Sequence, residues 1–117
     1  MSPTTSDRFF ALAARVESAL PDAGFTKEQA VELVGALRLY WEQPSEQALE
    51  ALKGTQERVL FAAARAGKVN RDHPVLSAHY ALDRAAQAFF ANDSEPFTGR
   101  DSTYYLDRCA QCLEFKS

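Results

Sequence analysis

Residues 26–67 of the chain read TKEQAVELVGALRLYWEQPSEQALEALKGTQERVLFAAARAG. Apolar residues recur in this stretch every three or four positions, which is the period of an amphipathic helix. Thr26 and Gln29 form a capping box, in which each side chain accepts a hydrogen bond from a free backbone N–H at the helix start. Pro44 ends the first apolar run, and Ser45 is an N-cap for a second run that ends at the closing glycine. Two helices joined so closely are predicted to pack antiparallel.

One helix is predicted before this hairpin. Phe9 and Leu12 begin an apolar stripe at helical spacing, which predicts a helix from about Asp7 to Ala19. Ser6 is the predicted N-cap. A proline at position 21 forces the end of the helix, because the residue before a proline is driven out of the helical conformation.

Two more helices are predicted after the hairpin. The first begins near Asp72 and ends near Asn92. Pro74 lies in its first turn, where a backbone N–H would have no hydrogen-bond partner within the helix. After a loop, Asp101 or Ser102 caps the last helix. No stretch has the alternating pattern of a strand. The sequence therefore predicts an all-α protein, a compact bundle of four to five amphipathic helices with short connections.

The composition bounds the organisation of the chain. Its 117 residues are 46% hydrophobic and 25% charged, as in an ordinary globular protein. We expect one helical domain over residues 1–117, with a flexible N-terminus at residues 1–5. The net charge of −3 disfavours nucleic acid as a partner, because a phosphate backbone usually requires a basic face. No membrane span is predicted, and a cytoplasmic location is expected.

No stretch of the sequence carries a specific catalytic motif. A glycine-rich phosphate loop and a nucleophile elbow are both missing. Glu28 and Glu32 form a carboxylate pair at helical spacing, as do Glu46 and Glu50, but both pairs lie in first turns, where acids stabilise the helix dipole. The chain is therefore predicted not to be an enzyme, with no cofactor, no metal and no catalytic residue.

Cys109 and Cys112 carry an alternative function. A CxxC pair predicts a thiol- or metal-dependent protein when the first thiol lies at a helix N-terminus or when two further ligands complete a zinc site. Here the pair lies deep inside a predicted helix. An internal similarity also aligns residues 80–90 with residues 104–114, so that the cysteines replace alanines. Small buried side chains are the simpler interpretation of both.

The leading hypothesis is a small non-catalytic binding protein. A regulator, inhibitor, immunity or adaptor protein acts by docking a helix face onto another protein, and tyrosine, tryptophan and arginine dominate such interfaces. The predicted partner-binding residues are Arg38, Tyr40, Trp41, Phe97 and Tyr104. Trp41 has a second interpretation as a packing anchor of the core. The identity of the protein partner is open, and so is a homodimer.

One basic cluster offers another alternative. Arg58, Arg65, Lys68 and Arg71 occur within residues 58–71, a stretch without an acid. Such a cluster predicts contact with an anion or a nucleic acid. The same residues also fit a structural role, because cations stabilise the negative end of a helix.

Residues 20–30, LPDAGFTKEQA, resemble the helix openings of small helical modules such as ubiquitin-associated domains. The capping box accounts for this resemblance, and nothing after Gln43 continues the pattern of that family. The sequence is therefore assigned to no family.

Overall fold

A computed structural model of the chain describes residues 4–91 and 100–114. These residues form five α-helices and one turn of 3₁₀ helix, and no strand is present among them. The all-α prediction is confirmed. The helices are α1 (Thr5–Ala19), α2 (Lys27–Glu42), α3 (Glu46–Ala66), α4 (Pro74–Phe90) and α5 (Ser102–Glu114), and the 3₁₀ helix spans Leu20–Ala23.

The start of α1 differs from the prediction. Thr4 is the N-cap, and its hydroxyl accepts a hydrogen bond from the backbone N–H of Asp7 at 3.0 Å. The Asp7 carboxylate in turn accepts from the backbone N–H of Thr4, which completes a capping box. Ser6 therefore lies inside the helix, and Thr4 and Thr5, which the prediction places in a flexible N-terminus, are the N-cap and the first residue of α1. Thr4 caps the helix in preference to Ser6 because the capping box satisfies two backbone N–H donors instead of one.

The turn after α1 depends on a glycine. Gly24 has φ +107°, a conformation that side chains rarely adopt, and it ends the 3₁₀ helix that begins at Leu20. A Cβ atom at this position would lie 2.0 Å from the backbone oxygen of Lys68. The backbone N–H of Asn70 also donates to the oxygen of Ala23 at 2.8 Å. The loop after α3 is thus held directly against this turn.

The predicted caps of α2 and α3 are confirmed. Thr26 and Gln29 form the capping box of α2, and the Ser45 hydroxyl accepts from the backbone N–H of Ala48 at the start of α3. Gly67 ends α3 in the left-handed conformation, with φ +71°. Each of these positions was named from the sequence because capping chemistry is local.

The last two helices begin close to their predicted starts. In α4 the cap is His73, whose Nδ1 accepts from the backbone N–H of Val75 at 3.1 Å, and Pro74 is the first helical residue. The last residue of α4 is Phe90, two positions before the predicted end. At α5 the Asp101 carboxylate accepts from the backbone N–H of Tyr104 at 2.8 Å, which settles the choice between the two predicted caps.

The core lies where α1, α2, α4 and α5 meet. Its largest fully buried side chains include Phe9, Leu33, Leu37, Leu82 and Leu106. Of the described helices, only α2 packs closely against α3. Consequently α3 is an outer helix with one buried stripe, formed by Leu52, Val59 and Ala63.

One histidine is buried within this core. His79 is 6% exposed, and its Nε2 has no hydrogen-bond partner among the described residues. Burial lowers the pKa of His79, although the nearby carboxylate of Asp83 acts in the opposite direction. The imidazole is therefore neutral in the folded protein at pH 7.

Candidate functional site

Trp41 lies in the core and not on a binding surface, which corrects one interpretation of the sequence and supports the other. Its ring is stacked between Phe9, at 4.2 Å between centroids, and Phe89, at 4.3 Å. The side chain is 7% exposed. Three helices thereby contribute to one aromatic stack, which explains why the tryptophan faces inward.

Tyr40, a predicted contact residue, is also buried, so the folded chain does not present its side chain at the surface. It is 2% exposed and meets the edge of Phe90 at 5.8 Å between centroids. Burial, with Asp83 as the smaller cause, raises the pKa of the Tyr40 hydroxyl. Arg38 reaches the surface beside them, but its guanidinium donates to the Glu17 carboxylate at 2.8 Å. The C-terminal end of α2 is therefore engaged mainly in packing and in an ion pair with α1.

Tyr104 is exposed, as the sequence predicted, but on a different face of the protein. It lies on α5, which does not pack against α2. Instead, Tyr104 shares a surface with Tyr80 of α4. The remaining predicted contact residue, Phe97, lies outside the described residues. The structure therefore does not bring together the four predicted contact residues that it describes.

A cleft of about 420 Å³ runs between α4 and α5 and is named here the tyrosine cleft. Tyr80 is 55% exposed and Tyr104 is 37% exposed, so both rings present apolar surface to solvent. Helix α5 packs along α4, which sets the two tyrosines on either side of the same opening. The lining residues are Leu76, Ser77, Tyr80, Ala81, Tyr104, Tyr105, Arg108 and Cys112.

Arginine side chains hold the two exposed tyrosines in place. The guanidinium of Arg84 lies 5.0 Å from the ring centroid of Tyr80, and its Nε donates to the Tyr80 hydroxyl at 3.0 Å. The guanidinium of Arg100 lies 4.3 Å from the ring centroid of Tyr104. Tyr105 meets Tyr104 edge to face at 5.2 Å. These contacts restrict the rings before any ligand arrives.

A second cleft adjoins the tyrosine cleft. It measures about 320 Å³ and is lined by Asp72, Pro74, Ser77, Arg108, Gln111 and Cys112. Ser77, Arg108 and Cys112 border both clefts. Together they form one groove along α4 and α5, apolar and aromatic at one end and polar at the other. Sequence reasoning missed it, although the spacing of Tyr80 and Arg84 and the similarity between the two helices were visible signals.

The two cysteines differ in environment. Cys109 is fully buried, and burial is the main cause that raises its pKa to about 12, with Cys112 adding to the rise and Arg15 opposing it. Cys112 is half-buried at the groove, and both thiols are free. Among the described residues, no group of three or more His, Cys, Asp or Glu side chains could hold a metal ion. The Cys109 environment disfavours a reactive thiolate.

The residues of the basic cluster have separate contacts. Arg58 donates to the Glu32 carboxylate of α2 at 2.6 Å, and the guanidinium of Arg65 lies 5.7 Å from the ring centroid of Phe61. Arg65 is in the last turn of α3, where a cation stabilises the helix dipole. Lys68 and Arg71 follow in the next loop, and Arg71 borders a cleft of about 420 Å³. The remaining lining residues of that cleft are Phe25, Leu60, Ala64, Gly67, Val69 and Leu76.

Comparisons with known proteins give no match: no protein family, no curated protein and no solved structure is significantly similar to this chain. In the part of the chain that the structure describes, no helix has both the length and the apolar character required to cross a bilayer.

Proposed function

We propose that the chain is a small non-catalytic binding protein that holds a short segment of another protein in the groove between α4 and α5. The observation that carries this proposal is the tyrosine cleft, where Tyr80 and Tyr104 are exposed and each lies against an arginine. The proposal keeps the predicted mode of action, stoichiometric contact through a helix face, and moves it from α2 to α4 and α5.

The residue types of the groove support this proposal. Tyrosine and arginine are enriched among the residues that dominate binding energy at protein interfaces. A tyrosine ring supplies a large contact area while losing little conformational entropy, since it has two side-chain torsions. Contacts with Arg84 and Arg100 already restrict Tyr80 and Tyr104, which lowers the entropy lost on binding further.

The chemistry of the lining indicates what the bound segment carries. The tyrosine cleft offers aromatic faces beside Leu76 and Ala81, which suit an apolar or aromatic side chain. Arg108 borders both halves of the groove and can bind a carboxylate through two parallel hydrogen bonds. We therefore expect an extended segment with an acidic residue close to an apolar one.

A binding role also agrees with the chemistry of the nearby titratable groups. Cys109 is buried with a pKa of about 12, so its thiol is a poor nucleophile at neutral pH. His79 is buried away from solvent. Neither group supplies a general base or a nucleophile to the groove, and no observation favours the thiol- or metal-dependent alternative.

Affinity capture from the cell extract of origin tests the proposal. The tagged chain is compared with the double variant Tyr80→Ala/Tyr104→Ala and with a control, Leu39→Ala, which removes an equally exposed apolar side chain from α2. We expect one protein at stoichiometric amount with the unmodified chain and the control, and its loss with the double variant. Circular dichroism establishes that all three chains are folded.

Titration calorimetry with the isolated partner makes the test quantitative. Each tyrosine substitution is expected to cost about 2 kcal/mol of binding free energy, or roughly thirty-fold in Kd, as for residues that dominate an interface. Arg108→Gln is expected to weaken binding as well, and to reduce its dependence on salt. Equal capture by the double variant, or no stoichiometric partner at all, would contradict the proposed function.

A further inference from the structure

Gly54 is a glycine in the middle of α3 for which packing within the chain gives no reason. A Cβ atom built on it meets nothing within 4 Å, and the residue is exposed. Its backbone is helical, so the conformational freedom of glycine is not needed there. Glycine inside a helix destabilises it relative to alanine. Gly54 instead leaves a gap in the side-chain surface of the helix.

Phe61 is the matching projection on the same helix. It lies two turns after Gly54, on the same face, and is 64% exposed. The guanidinium of Arg65 lies beside its ring. Of the described helices, only α2 packs closely against α3, so no described helix covers this outer face.

We propose that the outer face of α3 binds α3 of a second copy of this chain, antiparallel, with Phe61 of each copy over Gly54 of the other. In a two-fold symmetric interface, contact of one residue with another implies the reverse contact as well. One axis, placed midway between the two positions, therefore satisfies both contacts. A gap that accepts an aromatic ring accounts for both the glycine and the exposed phenylalanine.

Charges along α3 fit this register. The axis between Gly54 and Phe61 falls between positions 57 and 58, so Glu50 of one copy lies at the same level as Arg65 of the other. This pair joins opposite charges and occurs twice in the dimer. Both side chains are exposed in the single chain.

The arrangement keeps the existing ion pair between α2 and α3, in which Arg58 donates to Glu32 of its own chain. A parallel pairing would set the acidic start of α3 beside the same acids and the basic end beside the same bases. Charge complementarity thus favours the antiparallel dimer.

Sedimentation velocity over a range of protein concentrations tests the dimer directly. We expect a reversible monomer–dimer equilibrium that weakens as salt is raised, because the ion pairs are at the surface. Phe61→Ala is expected to reduce association at least tenfold. A chain that stays monomeric at every concentration and low salt overturns the proposal, as does a dimer that Phe61→Ala leaves unchanged.

Charge reversal tests the register. Glu50→Arg alone sets arginine against Arg65 at both ends, and Arg65→Glu alone sets glutamate against Glu50, so each variant is expected to be monomeric. Mixed in equal amounts, the two variants regain both opposite-charge pairs and are expected to form a heterodimer. Failure of the mixture to associate, while the unmodified chain dimerises, overturns this register.

Two glycines provide a matched control. Gly35 of α2 also has open space around an added Cβ, but it lies outside the proposed interface. We expect Gly54→Gln to abolish association and Gly35→Gln to leave it unchanged, with both chains folded by circular dichroism. Equal effects of the two substitutions would contradict a specific role of Gly54. The groove between α4 and α5 does not include α3, so this test is independent of the proposed function.

Discussion

The indole N–H of Trp41 donates a hydrogen bond to the hydroxyl of Ser6, at 3.0 Å between Nε1 and Oγ. This contact joins the end of α2 to the first turn of α1, 35 residues earlier in the chain. The tryptophan ring also stacks on Phe9 of α1, so the same side chain makes an apolar and a polar contact with one helix. The position of α1 relative to α2 is therefore fixed by both contacts together.

Removal of this hydrogen bond is expected to destabilise the protein measurably. Ser6→Ala should lower the free energy of unfolding by about 1 kcal/mol, because the largely buried indole N–H loses its partner. Trp41→Ala should cost about 3–5 kcal/mol, since it removes a large side chain from the core. Urea denaturation measures both. Ser18→Ala, at an exposed position of α1, is the control and should cost much less than Ser6→Ala.

Ser6 and Trp41 also show which features of the fold can be predicted from the sequence and which cannot. Local patterns identified five helices and their caps at Thr26, Ser45 and Gly67, because caps depend on residues a few positions apart. Sequence periodicity did not decide which face of α2 turns inward at Trp41. That depends on Phe9 and Phe89, which come from other helices.

Gly24 is expected to be the position at which alanine is least tolerated. Its φ of +107° is strained for any side chain, and an added Cβ would lie 2.0 Å from the Lys68 oxygen. Gly24→Ala should therefore lower the free energy of unfolding by about 2–4 kcal/mol. In contrast, Gly35→Ala should raise it by up to about 1 kcal/mol, because that glycine is helical and has open space around it. Thermal or urea unfolding of both variants measures these changes. A Gly24→Ala variant as stable as the unmodified chain would contradict the prediction.

Acid is expected to destabilise the fold through His79. Burial lowers the pKa of this imidazole below the value of 6.5 that it has in the unfolded chain. Between the two pKa values the unfolded chain binds a proton that the folded chain does not. The contribution of neutral His79 to stability is therefore complete above pH 6.5 and decreases as the pH falls toward the lowered pKa.

The pH dependence of unfolding free energy, measured by urea denaturation between pH 7.5 and about pH 5, checks this. His79→Leu keeps a buried side chain of comparable size without the titrating group, so its stability should fall less steeply with acid. Asp83, the charged group near His79, is unchanged in the variant and provides the same background. Parallel curves for the two proteins would show that another group causes the acid sensitivity.

The candidate groove was less predictable than the fold. The sequence predicts Tyr104 as a contact residue, but it does not single out Tyr80. What makes them one site is the packing of α5 along α4, which brings together residues 24 positions apart in the chain. A similarity between two helices indicates that they share an environment, and it does not say that they face each other.

The two cysteines are expected to react with thiol reagents at very different rates. Cys112 borders the groove, whereas Cys109 is fully buried with a pKa of about 12, so its thiolate is scarce at neutral pH. In the folded protein a thiol-specific reagent should modify one cysteine quickly, and Cys112→Ser should remove that fast phase. The slow phase should accelerate in urea as the chain unfolds.

A bulky label on Cys112 should also block binding of the proposed partner segment, while Cys109→Ala should leave capture of the partner intact. Fast labelling of the Cys112→Ser variant without denaturant would mean that Cys109 is accessible and would revive its interpretation as a reactive thiol.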